Sequence, residues 1–125
     1  MSLYEVIIKD GFSSAHALRH YHGAIEPLHG HNFVVEVVVC GKSLKNKVKY
    51  LSDFVVLQKT LSGIVKPMDH VNLNEFPPFD RENPSSENLA RYIGQQLIKR
   101  WREPGVRLAS VTVWETEKTA ARYLP

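Results

Sequence analysis

The stretch IEPLHGHNFVVEV (residues 25–37) sets His29 and His31 around a glycine at the start of an alternating apolar run. Residues two apart on a β-strand point to the same face, so both imidazoles reach one point in space. A catalytic zinc ion takes three protein ligands, imidazole nitrogen being the usual nitrogen donor, and keeps one position open. A third ligand must come from a neighbouring element. His16 fits, because SSAHAL closes the preceding strand-like run and a hairpin-like pairing brings it beside HGH. Gly30, between the two histidines, would let another backbone approach closely. Alone, an HxH pair is as readily surface decoration or core filler; the third histidine makes it a candidate metal site. His20 and His22 share the spacing but lie in the loop-like RHYHGA, and are read as solvated or substrate-near.

Three further groups could move protons or hold a ligand. Asp69 precedes His70, and a carboxylate beside an imidazole fixes its tautomer and raises its basicity, as acid–base catalysis needs. The alternative is that Asp69 caps local backbone in a turn. Val111, Val113 and Glu115 share a parity, so a face burying two valines ends in a carboxylate. A buried carboxylate needs partners; if the protein supplies none, a ligand with paired N–H donors, such as the edge of a pterin or guanine, would. The other reading is an exposed strand end. Cys40 falls on the opposite strand face from His31, about 30 Å along at 3.3 Å per residue, and is read as a small buried hydrophobe.

The elements that must position these groups follow from periodicity. Leu3 to Phe12 alternates as a strand, a polar loop runs from Arg19 to Leu28, and His31 to Gly41 is a β-branched second strand paired antiparallel with the first. Val48 to Leu51 could form a short strand. Ser52 or Asp53 caps a helix carrying Phe54, Leu57, Leu61, Ile64 and Val65 on one face, stopped by Pro67. Ser85 or Ser86 caps a second helix, with Leu89, Ile93, Leu97 and Trp101 recurring every four residues and Glu87 in its first turn. The connection from Asp69 to Pro84 is long and irregular, and loops of that length are often functional. Val106 to Glu115 and Thr119 to Leu124 complete the order strand, strand, helix, helix, strand, strand. That order argues for a single α+β domain over residues 1–125, its antiparallel sheet covered on one face by helices.

The bulk numbers fit this reading. A chain of 125 residues, 43% hydrophobic and 23% charged, suits one folded domain. No run of about 18 apolar residues and no leader-like start occurs, so the expected location is the cytoplasm with no membrane partner. One cysteine excludes an internal disulfide. The net charge of +3 suits an anionic small substrate. Its lysines and arginines are scattered, with Lys42, Lys45, Lys47 and Lys49 in a solvated turn, so no nucleic-acid partner is expected.

Five segments in order resemble the 6-pyruvoyl-tetrahydropterin synthase and 6-carboxy-tetrahydropterin synthase family: FSSAHAL, LHGHNF, MDHVNLNE, ENPSSENLA and VTVWET, spanning Phe12 to Thr116. The resemblance implies a tunnelling fold, assembled as a homo-hexamer of two trimers with sites between subunits. It assigns zinc to His16, His29 and His31, acid–base work to Asp69 and His70, pterin anchoring to Glu115, and substrate contacts to Ser85 and Ser86. One departure is informative. Members forming the pyruvoyl or carboxy product carry a cysteine shortly before HGH, whereas here AIEPLHGH has none and Glu26 stands three residues before His29. This is similar to a glutamate-bearing branch that cleaves the side chain of 7,8-dihydroneopterin triphosphate to 6-hydroxymethyl-7,8-dihydropterin, a folate precursor. Glu26 then joins the catalytic set. The alternatives are 6-carboxy- or 6-pyruvoyl-tetrahydropterin synthase activity, or a non-catalytic zinc and pterin-binding protein.

Overall fold

In a computed structural model describing residues 3–125, the alternation of the first segment becomes β1 (Tyr4–His16) and the β-branched run becomes β2 (His29–Gly41). Both strands are longer at the histidine end than their apolar alternation foretold, because pairing continues to His16 opposite His29 and Ser14 opposite His31. The backbone ladder persists where the side chains have turned polar. β3 (Val106–Thr116) pairs with β2, and β4 (Thr119–Tyr123) with β3, giving an antiparallel sheet in the order β1-β2-β3-β4.

One face of the sheet is covered by α1 (Phe54–Val65) and α2 (Ser86–Arg100). Val6, Ile8 and Phe12 of β1, Phe33, Val35, Val37 and Val39 of β2, and Val111 and Val113 of β3 meet Leu57, Leu61, Leu89, Ile93 and Leu97 from the helices. Asp53 is the cap of α1, its carboxylate accepting from Val55 N at 2.9 Å, while Ser52 donates its hydroxyl to Glu103. Ser85, not Ser86, caps α2 by accepting from Asn88 N at 3.2 Å. Gly94 lets α2 lie close to β4, since a Cβ there would come within 2.8 Å of the Tyr123 ring.

Two readings of the first helical region are corrected. Val48 to Leu51 is not a strand: residues 45–50 form a turn closed by a single Lys45–Tyr50 bridge, and Val48 is exposed. Lys45 spans to Glu103, whereas Lys42, Lys47 and Lys49 are solvated. Phe54 is also exposed, because as the first residue of α1 it precedes the point where the helix meets the sheet; Leu57 is the first buried residue. Helix α1 ends before Pro67, which lies inside a 3₁₀ turn (Lys66–Met68). The connection from residue 69 to 84 holds another 3₁₀ turn (Leu73–Glu75) and buries Leu73 and Phe79 in the core. No helix among the described residues is long and apolar enough to cross a membrane.

Candidate functional site

The strand register brings the three histidines together. His16 ends β1, directly opposite His29, and His31 lies two residues further along β2 on the same face. Their ring centroids are 4.8, 5.1 and 4.8 Å apart, each pair set edge to face. One ring nitrogen from each, with a carboxylate oxygen of Glu115, lies within 4.8 Å of all the others. Gly30 contributes less than its position suggested: a Cβ there would meet the Ser14 carbonyl at 3.6 Å, an ordinary contact.

Backbone carbonyls orient two of the rings. His16 Nδ1 lies 2.8 Å from the Pro84 carbonyl and His29 Nδ1 lies 2.8 Å from the Pro27 carbonyl. A carbonyl can only accept, so each Nδ1 carries the hydrogen, and a neutral ring leaves its Nε2 lone pair free. The Nε2 atoms of His16 and His31 are buried without a hydrogen-bond partner. Buried polar atoms in folded proteins nearly always have partners. Three converging imidazoles, two with unpartnered buried nitrogens and two oriented by backbone carbonyls, are the donor set a divalent transition metal takes. Burial lowers the pKa of His31, opposed by Glu115 and reinforced by His16 and His29, a direction that favours the neutral ring.

The carboxylates surround this cluster. Glu115 Oε1 lies 3.0 Å from His16 Nε2 and 2.9 Å from His31 Nε2, so its carboxylate faces imidazoles of the same chain without a hydrogen bond to either. Glu26 Oε1 lies 3.9 Å from His29 Nε2 and accepts from Leu18 N at 2.9 Å; in return Glu26 N donates to the Leu18 carbonyl. Asp69 sits beside His70 as expected, and the backbone it binds is a distant strand rather than a local turn. Its Oδ1 accepts from Ser13 N at 2.8 Å, tying the connection to β1, while Oδ2 takes the Nδ1 hydrogen of His70 at 2.8 Å. The Ser13 hydrogen bond and then the His70 contact lower the Asp69 pKa. His70 is largely exposed and adopts φ 58°.

A cleft of about 500 Å³ is lined by both His31 and His70, and a second of about 680 Å³ by His31, Trp114 and Glu115. His31 thus borders both openings. Ser85 is one residue beyond the carbonyl that holds His16, with Ser86 beginning α2. Cys40 is buried opposite Glu5, at the far end of β2. His20 and His22 are exposed in the turn bridged by Tyr21 and Ala24, apart from the cluster.

Sequence reasoning missed a clamp behind the site. Arg19 donates to the carbonyls of Glu82, Asn74 and Phe79; Asn83 bonds the Arg19 backbone at both N and O; Asn74 does the same for Ala17. These bonds join residues 55 to 64 positions apart, and no local pattern announces them.

An antiparallel sheet backed by two helices carries at one end three converging histidines and a carboxylate that could hold a metal ion, beside two clefts. The family is shown directly: residues 5–125 match the model of 6-pyruvoyl tetrahydropterin synthase, and the chain belongs to that family. Among its relatives, dihydroneopterin monophosphate aldolase of Pyrococcus furiosus is 39% identical over 111 residues, covering 88% of each chain. 6-Carboxy-5,6,7,8-tetrahydropterin synthase of Aquifex aeolicus is 29% identical, covering 77% of this chain and 73% of its own. The fold matches the structure of Caenorhabditis elegans 6-pyruvoyl tetrahydropterin synthase with a TM-score of 0.86 at 27% identity, over 100% of this chain and 97% of that one. The tunnelling fold and the order ββααββ are thereby established, and the protein is one of a family of pterin enzymes.

Proposed function

We propose that this protein is a zinc-dependent lyase that cleaves the side chain of a phosphorylated 7,8-dihydroneopterin, giving 6-hydroxymethyl-7,8-dihydropterin for folate synthesis. The observation that carries the proposal is Glu26 beside the three-histidine cluster, where synthases of the family have a cysteine. Zinc held by His16, His29 and His31 would act as a Lewis acid on a hydroxyl of the substrate side chain.

The protein's own groups supply the rest. Glu26, steadied by Leu18 N, removes the proton from the hydroxyl on the second side-chain carbon. That oxygen becomes an aldehyde as the bond between the first and second carbons breaks, and the electron pair passes into the dihydropterin ring. His70, its Nδ1 hydrogen held by Asp69, returns a proton from Nε2 to the first carbon. A phosphorylated glycolaldehyde leaves. Glu115 pairs with the N–H donors of the pterin edge, and Ser85 and Ser86 contact the substrate from the start of α2. A carboxylate is a weaker base than a thiolate, so Glu26 suits a hydroxyl proton better than the carbon-bound protons a synthase must shift. The same reading places the chain in the cytoplasm as one domain within a homo-hexamer.

The test is to incubate zinc-loaded protein with the monophosphate, for which the Pyrococcus relative is named, and with the triphosphate, which the sequence suggests, and identify the pterin by mass spectrometry. Hydroxymethyl-dihydropterin from either supports the proposal. Carboxy- or pyruvoyl-tetrahydropterin would make it a synthase despite the missing cysteine, and no product from either would leave a binding protein.

A further inference from the structure

Glu115 presents a problem that pterin anchoring does not solve. Its Oε1 stands 3.0 Å from His16 Nε2 and 2.9 Å from His31 Nε2, yet neither nitrogen makes a hydrogen bond. The distances are those of hydrogen bonds but the geometry is not. The Pro84 carbonyl already takes the Nδ1 hydrogen of His16, so a neutral His16 directs a lone pair at a carboxylate oxygen. Two electron-rich atoms in contact, the nitrogen buried, repel unless a cation lies between them. The third ring, His29, offers its nitrogen to the same point.

We infer that Glu115 is the fourth ligand of the metal in the substrate-free protein, and that a bound pterin draws it off. Zinc bonds of about 2.0–2.2 Å place tetrahedral ligands about 3.3–3.5 Å apart. The observed contacts are slightly inside that spacing, so a small outward movement of one flexible side chain completes a tetrahedron. Four protein ligands make a closed site of the structural kind; three with one open position make a catalytic one. Glu115 converts the first into the second, because the paired N–H donors of a pterin compete for the same carboxylate. Its place supports this, since it lines a cleft together with His31 and Trp114. The open position then appears only when the substrate that needs it is present. Linkage requires the reciprocal effect, that pterin weakens the grip on the metal.

The inference rests on the metal site proposed above, and the experiment separates the two. Cobalt(II) is titrated into apo wild-type protein and into Glu115→Gln, without pterin, against a competing chelator and with visible spectra recorded. The expected result is a loss of at least about 10- to 100-fold in affinity in the variant, the cost of losing even an outer-shell partner of a ligand, with shifted cobalt bands. Unreactive oxidised pterin should shift the wild-type bands and weaken cobalt binding. Equal affinity within twofold and unchanged bands, in a variant whose circular dichroism matches wild type, would overturn the inference and leave the three-histidine site standing. Wild-type protein that takes up no metal would overturn both. A crystal structure of the zinc-loaded, substrate-free wild type needs no variant: a Glu115 oxygen within about 2.2 Å of the ion supports the inference, and one beyond hydrogen-bond reach overturns it.

Discussion

The helix-covered face of the sheet changes character within a few residues along each of three neighbouring strands. On β1, Ile8 and Phe12 give way to Ser14 and His16; on β2, Val37, Val35 and Phe33 give way to His31 and His29; on β3, Val111 and Val113 give way to Glu115. Burial persists across the first of these boundaries, with Phe12 3% and His16 1% exposed. The apolar middle gains from burial, whereas a buried polar group costs free energy unless it is partnered. A fold governed by stability alone would continue the valines to the strand ends. The histidine end instead keeps unpartnered nitrogens in its interior, a local violation of the rule of the kind that functional sites carry.

Substitutions at the two ends should therefore fail in different ways. The largest effect is expected at the polar end: His31→Ala should lose stoichiometric metal by elemental analysis and slow turnover about a thousandfold or more, the scale on which a Lewis acid contributes. Glu26→Gln should retain the metal and lower kcat by about 10²- to 10⁴-fold, the contribution of a positioned acid or base; full hydroxymethyl-dihydropterin formation would remove Glu26 from the mechanism. In the apolar middle, Leu57→Ala should cost about 2–5 kcal/mol by denaturant unfolding, with activity per folded molecule unchanged. A loss of activity without loss of stability there would erase the distinction between the two regions. At the boundary, Ser85→Ala removes the α2 cap and should cost about 0.5–2 kcal/mol.

The smallest effect concerns acid. The folded pKa of Asp69 lies below its ordinary value of 3.8, so its contribution to stability is fully present above pH 3.8 and is lost as pH falls through the folded pKa. Asp69→Asn should therefore melt below wild type at pH 6, and the two curves should converge in stronger acid. A gap independent of pH would show that the carboxylate charge is not what Ser13 N and His70 read.

Both regions were legible in the sequence to the extent that strand periodicity reached them. Period two places His29 and His31 together and sets Glu115 on the valine face, and a hairpin-like pairing makes His16 the best candidate to meet them, as the register shows. Strand ends were misjudged because alternation of apolar residues was the signal, and at the site the alternating residues are histidine and serine. Phe54 reads as part of the apolar helix face although a first helical turn projects past the sheet, and Val48 reads as strand although its segment closes into an exposed turn. The clamp formed by Arg19, Asn74 and Asn83 was not legible at all. It joins side chains to backbone across 55 to 64 residues, and only the folded chain brings those partners together.

The most direct test of the central claim is to strip the protein with a chelator, restore zinc in a stoichiometric titration, and follow hydroxymethyl-dihydropterin formed from dihydroneopterin phosphate. Product formation should cease on stripping and return in proportion to the zinc bound, with His31→Ala unresponsive. Product formation that survives complete metal removal would contradict that claim.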